Sequence, residues 1–181
     1  MTRHMPKCDH CTLLVENKST INENLTLCEP CTTLSERMPQ IQLAPIAETD
    51  LELVLAWRSN PKIYRHFRRQ DSPLNWESHV SWYESRPTGR YDFIIEYEGR
   101  RVGVVSIDTM AKISIYLGDF SARGQGVATA ALKWLCKRFE DRTPLVAEVH
   151  ESNEPSKQLF EGCGFQQQEH DGEWLRYSYE S

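Results

Sequence analysis

The chain has 181 residues, a formal net charge of -5 and 26% charged residues. That length holds one ordinary domain with a small appendage, and the acidic balance argues against nonspecific nucleic-acid or membrane binding as the main task. No apolar run approaches the roughly 20 residues that span a bilayer, and the opening MTRHMPKCDH lacks the apolar core of a signal peptide, so a cytoplasmic chain is expected.

The six cysteines are unevenly placed. Cys8-x-x-Cys11 and Cys28-x-x-Cys31 form two CxxC pairs, while Cys136 and Cys163 stand alone. Paired CxxC turns at short separation point to zinc, because both thiolates of a turn can face one ion and two turns complete a tetrahedron. Four thiolates leave no open position for water, so the zinc is expected to be structural. The alternative, two disulfides, suits a secreted chain. Between the pairs, Thr12 to Val15 and Asn24 to Leu27 read as hairpin strands around a polar Glu16-to-Glu23 turn, and Thr32 to Arg37 as a short helix. Knuckle, hairpin and a second knuckle opening a helix resemble a zinc-ribbon or treble-clef module over residues 1–38. So few large apolar residues require metal for folding. Few basic residues favour a protein partner or self-association over nucleic acid as its contact.

Residues 39–181 read as a second domain. Ile41 to Ile46 is a strand, and Pro45 suggests a sheet edge. Glu48-Thr-Asp50 starts a helix through Arg58, Asn60-Pro61 breaks it, and a second helix carries Ile63, Tyr64 and Phe67. A third follows Ser72-Pro, with Val80, Trp82 and Tyr83 near its end. Tyr91 to Glu98 and Val102 to Ile107 form a hairpin turning at Glu98-Gly99, and Ile113 to Leu117 is the next strand. Gly118 then leads to Arg123-Gly-Gln-Gly-Val-Ala128. Here Val127, Ala131, Leu135 and Phe139, with Ala128, Leu132 and Cys136 alongside, give one broad apolar helix face. Glycines before such a helix leave N–H groups free, and with the helix dipole they seat an anion. Arg123 adds a charge suited to phosphate. No Gly-Lys-Ser/Thr triplet makes a Walker loop, and Thr129 occupies the place of a dinucleotide fingerprint's third glycine. Leu145 to His150 is a buried strand, and a helix from Asn153 stops at Gly162-Cys-Gly164-Phe165. Gln166 to Tyr179 closes as a hairpin around Asp171-Gly172.

Arg123, Gly126 and Ala128 stand at the defining positions of Gln/Arg-x-x-Gly-x-Gly/Ala, which resembles the acetyl-CoA motif of the GNAT-superfamily N-acetyltransferases. Val149 to Asn153, then Phe160 to Phe165, resemble that family's downstream motif, and the likeness covers Ile41 to about Tyr179. It implies an α+β GNAT fold, a mixed and mostly antiparallel sheet flanked by helices, with acetyl-CoA as co-substrate and a small-molecule amine as acceptor. The resemblance places the pyrophosphate on the amides of Gln125 to Ala128, Val127 included, with Arg123 beside it and Gly118, Gly124 and Phe160 along the cofactor. Asn153 would meet the pantetheine arm, and an N–H near Leu117 would hold the carbonyl oxygen.

For the base, Glu148 is a carboxylate in an otherwise apolar strand, and burial is expected to raise its pKa toward the working pH; the other reading puts it on the solvent face of an edge strand. Phe160 stands where the family carries its tyrosine acid, so Tyr116 is expected to substitute, with Tyr177 and Tyr179 as alternatives. Acceptor specificity is expected in Leu51 to Arg86. Trp57-Arg58-Ser-Asn60-Pro61, Gln70 and Glu77-Ser-His79 resemble the pseudaminic-acid-pathway enzymes that acetylate the 4-amino group of a nucleotide-linked sugar. That likeness implies sugar contacts from Arg58, Phe67, Arg68 and His79, and diphosphate contacts from Arg65, Arg68 and Arg69. Trp-Arg-Asn-Pro also occurs in N-terminal protein acetyltransferases of the ribosomal-protein type, so a protein N-terminus or an aminoglycoside are alternative acceptors. A different class of reading is an acetyl-CoA-binding regulator whose zinc module recruits a partner.

Overall fold

A computed structural model describes residues 5–15, 19–22 and 25–180. At the N-terminus β1 (Ser19–Asn22) pairs antiparallel with β2 (Leu25–Leu27), and α1 (Glu29–Arg37) follows. The hairpin differs from the expected one. Thr12 to Val15 fold back on the first knuckle: Cys8 N–H donates to Leu13 O at 2.9 Å, Leu14 bridges Lys7, and Val15 N–H donates to Pro6 O at 2.9 Å. Their backbone groups close the loop around Cys8 and Cys11, so they are not free to join a ladder. Ser19–Asn22, expected within the turn, form β1, while Glu16 to Lys18 and Glu23 of that turn and Asn24 of the expected strand lie outside the described residues. Helix α1 starts earlier than expected because Cys28 takes the N-cap position and a proline sits in the first turn, where its missing N–H costs nothing.

The second element set is β3 (Ile41–Pro45), α2 (Leu51–Arg58), α3 (Pro61–Tyr64), α4 (Trp76–Glu84), β4 (Tyr91–Tyr97), β5 (Arg100–Ile107), β6 (Lys112–Leu117) and α5 (Val127–Arg138). Then come β7 (Leu145–His150), α6 (Glu154–Gly162), β8 (Gln166–Asp171) and β9 (Trp174–Tyr179). The strands form a seven-stranded sheet in the order β3-β4-β5-β6-β7-β9-β8, with β3 at an edge as Pro45 suggests. Every pairing in it is antiparallel except β6 with β7. This is the mixed, mostly antiparallel α+β sheet with helices on its faces that the sequence leads one to expect.

Strand alternation feeds two cores. Phe93 and Ile95 of β4 join the larger cluster with Val127, Leu132 and Leu135 of α5, while Ile94 and Val104 meet Leu51, Val54 and Trp57 of α2. Helix α5 buries the two apolar rows read from its spacing except Ala128, which is half-buried, and adds Trp134, 3% exposed. The reason is a pair of neighbours: the Trp134 ring packs edge-on against Phe93 of β4 at 4.9 Å, and its indole N–H donates to Cys31 of α1. Among the described residues, no helix is long and apolar enough to cross a membrane.

Candidate active site

Strands β6 and β7 are hydrogen-bonded neighbours over only Lys112↔Val146 and Ile113↔Ala147. On its other side β6 stays paired with β5 as far as Gly103↔Leu117, and Gly118 N–H still donates to Val102 O at 2.8 Å. In an antiparallel ladder alternate residues turn their N–H groups to opposite sides. With Gly118 facing β5, Leu117 and Ile115 face the gap toward β7. That gap opens into a cleft of about 900 Å³ lined by both strand ends and by the loop entering α5.

At the far end of the cleft the chain turns through Gly124 (φ +74°) and Gly126 (φ +76°), the latter at the N-cap of α5. Positive φ strains any residue with a β-carbon, so glycine here lets the turn deliver the first N–H groups of α5 to the cleft. Arg123 lies flat on Phe120, its guanidinium carbon 3.8 Å from the ring centroid. Burial and the charge of Arg65 both lower its pKa. Lys62 and Arg65 line the same space, and an anion between them and Arg123 would offset that crowding of cations.

Residues 40–166 match the family described as Acetyltransferase (GNAT) domain. The chain belongs to this family. An uncharacterised protein of Methanocaldococcus jannaschii is 34% identical over 174 residues, covering 88% of this chain and 35% of that protein, so the chain spans about a third of that relative's length. The crystal structure of a domain from the same organism superposes with a TM-score of 0.71 at 33% identity, covering 77% of this chain and 97% of that one. An aminoglycoside acetyltransferase in complex with coenzyme A shares the fold, with a TM-score of 0.64 at 16% identity over 76% of this chain and 94% of that one.

The GNAT cleft collects many of the residues singled out from sequence: Tyr116, Leu117, Arg123, Gly124, Gly126, Val127, Ala128, Glu148, Asn153, Phe160, Phe67 and Arg68 all line it. Asn153 caps α6 by accepting from Ser156 N–H at 3.4 Å, which leaves its amide donors for the cleft. Phe160 is 4% exposed and packs on Phe165 and Tyr177.

Gln125 is exposed and does not line the cleft. Gly118 does not line it either; its bareness admits the Trp57 indole. Arg58 is held inside the wall, donating from Nε and Nη2 to Gln70 Oε1 at 3.0 and 2.7 Å, and its guanidinium carbon sits 4.2 Å from the Phe67 ring centroid. His79 is 3% exposed and stacks on Trp82 at 5.3 Å, and burial lowers its pKa. Both were expected to touch the acceptor, and both are turned into the α2–α4 layer instead. A four-residue helical row gives α4 an inward side, and His79 falls on it.

Glu148 needs two corrections. Strand β7 lies between β6 and β9, so Glu148 is on no edge. Its pKa is lowered, not raised. Burial acts upward, but the hydrogen bond and charge of Lys112, then those of Arg68 (Arg68 Nη1 to Glu148 Oε1, 3.0 Å), outweigh it. Arg68 also pairs with Asp171, tying the wall to the β8–β9 turn.

Tyr116 points to the α2 side, edge-on to Trp57 (6.5 Å) and Phe67 (5.6 Å), and burial raises its pKa. It is suited to hydrogen-bond donation more than to proton release. Tyr177 donates to Glu161 Oε1 at 2.9 Å, and burial followed by Glu161 pushes its pKa up to about 12. Neither Tyr177 nor Tyr179 lines the cleft.

Sequence reading missed Lys112, His66 and Trp174, all on the cleft wall. Trp174 begins the strand after the recognised Asp171-Gly172 turn, so alternation along that strand could have marked it. Nothing local marked Lys112, whose partner lies on the neighbouring parallel strand.

Behind α5, the sulfurs of Cys8, Cys11, Cys28 and Cys31 lie within 4.8 Å of one another, and all four residues are buried. A tetrahedral ion with metal–sulfur bonds of about 2.3 Å needs sulfurs about 3.8 Å apart, and Cys11 and Cys28 are 3.8 Å apart. Cys28 N–H and the Trp134 indole N–H donate to the sulfurs of Cys8 and Cys31 at 3.4 and 3.3 Å, as outer-shell donors to thiolates do. The donor set fits a four-coordinate zinc.

Proposed function

We propose that this chain is an acetyl-CoA-dependent N-acetyltransferase whose acceptor is a primary amine, in first place the 4-amino group of a nucleotide-linked sugar. The observation that carries the cofactor is the gap between β6 and β7 running up to the Gly124–Gly126 turn at α5. The pantetheine arm would extend along the gap, and the pyrophosphate would sit on the first N–H groups of α5 beside Arg123. Coenzyme A in the aminoglycoside acetyltransferase of the same fold is consistent with this.

The acceptor amine attacks the thioester carbon, and the oxygen that becomes negative is met by the Leu117 N–H. Collapse breaks the C–S bond, and CoA leaves as thiolate or takes a proton from water. A thiol of pKa near 8.5 needs little acid help, which suits a cleft with Phe160 in place of a tyrosine. The proton lost by the amine passes to water held at Glu148. Since Lys112 and Arg68 keep Glu148 ionised, it orients the amine and accepts protons only fleetingly. Arg68, Phe67 and Arg65 on the opposite wall suit a phosphorylated acceptor.

The Cys8–Cys11–Cys28–Cys31 cluster is read as a structural zinc site in a module of residues 1–38, with the acetyltransferase domain over 39–181. Two CxxC pairs read as zinc ligands suit a reducing compartment such as the cytoplasm. The test is thiol release from acetyl-CoA with a UDP-4-amino-sugar, N-terminal peptides and an aminoglycoside in parallel. Turnover with the sugar alone supports the reading. Turnover with peptides alone moves the acceptor to protein, and CoA binding without turnover makes the chain a regulator.

A further inference from the structure

Helix α1 connects two sites that lie far apart in sequence. Its first turn belongs to the thiolate cluster, with Cys28 at the N-cap and Cys31 inside the helix. Its other end is capped by Met38, whose Cε lies 3.8 Å from where a β-carbon on Gly126 would stand. Gly126 is the left-handed residue that aims the first turn of α5 at the cleft. A nine-residue helix is a stiff rod of about 14 Å, so the thiolates set one end and the phosphate turn meets the other.

A second set of contacts holds α5 to the same module. The buried Trp134 indole donates to Cys31 Sγ at 3.3 Å, Arg138 Nη2 donates to Leu14 O at 3.2 Å, and Lys137 lies 3.8 Å from Glu29. The indole N–H is 3% exposed with its residue and would lose its partner if Cys31 moved, a cost no surface contact offsets. We infer that the four-thiolate centre is a positioning element for cofactor binding. Zinc and CoA then bind with positive coupling, carried by Met38 on Gly126 and by Trp134 on Cys31. This rests on the zinc and acetyl-CoA readings given above.

Coupling is reciprocal, so it can be read at the metal without any turnover. Holoprotein is first titrated with CoA by calorimetry. Zinc partition against a chromophoric chelator of known affinity is then measured at equilibrium with and without saturating CoA. The expected result is about 5-fold tighter zinc binding with CoA, the lower end of ordinary coupling energies. In Met38→Ala and Trp134→Phe, which keep all four thiolates, the effect should fall below about 2-fold, and Met38→Leu should restore it. CoA binding that leaves zinc affinity unchanged overturns the coupling and spares the cofactor reading. Absence of CoA binding, or of zinc in the native protein, overturns the underlying reading and the coupling with it.

Discussion

The indole of Trp57 fills the space above Gly118 so closely that a β-carbon there would fall 2.0 Å from the ring. Gly118 directly follows β6, so this contact fixes where the Leu117 N–H sits at the mouth of the gap. Gly118→Ala forces a buried ring to move, and overpacking of this kind costs about 3 kcal/mol. For a chain of this size that lowers Tm by about 6–12 °C. Circular-dichroism melts check it, and Gly118→Ala combined with Trp57→Leu should recover part of the loss. An unchanged Tm for the single variant would mean that the indole does not occupy that space.

Gly126→Glu should weaken CoA binding by about 100-fold or more, because a carboxylate at a helix N-terminus takes the seat of the phosphate and repels it. Gly99→Glu is the control. It shares the positive φ (+73°), has nothing within 4 Å of an added β-carbon, and lies in the β4–β5 turn. Calorimetry should show near-normal affinity for the control, and equal loss in both would make strain the cause.

The pH profile separates the two readings of Glu148. Its carboxyl lies below its ordinary value in the folded chain, because Lys112 and Arg68 outweigh the effect of burial. The ion pairs therefore contribute stability above the unfolded pKa, and that contribution is lost as pH falls through the lowered folded value. From about pH 5 upward, kcat/KM should follow deprotonation of the acceptor amine and show no carboxylate limb. Lys112→Met should raise the Glu148 carboxyl and move such a limb upward. A wild-type limb between about 6 and 7 would instead mark a base raised by burial.

Native protein should carry about one zinc per chain, measured by plasma mass spectrometry. Cys8→Ser should lower metal content and Tm together, and chelation of the wild type should lower Tm reversibly. Retention of Tm after complete zinc removal would leave the cluster without a folding role.

Local information in the sequence determined the order of elements from β3 onward, the glycine turn before α5, the edge at Pro45 and the paired CxxC knuckles. Each is encoded within a few residues, by helical or strand periodicity, by positive φ, or by two thiols on one turn. Tertiary structure alone decided the environment of those residues. Lys112 reaches Glu148 across 36 positions, Arg68 reaches Glu148 across 80 and Asp171 across 103, and Trp134 meets Cys31 across 103. Whether Glu148 is raised by burial or lowered by cations depends on sheet register, which places Lys112 beside Val146. Whether Arg58 and His79 meet a substrate or the interior depends on which helix face the second core covers. Electrostatics and packing act through space, and the sheet brings together charges and rings that no local pattern relates.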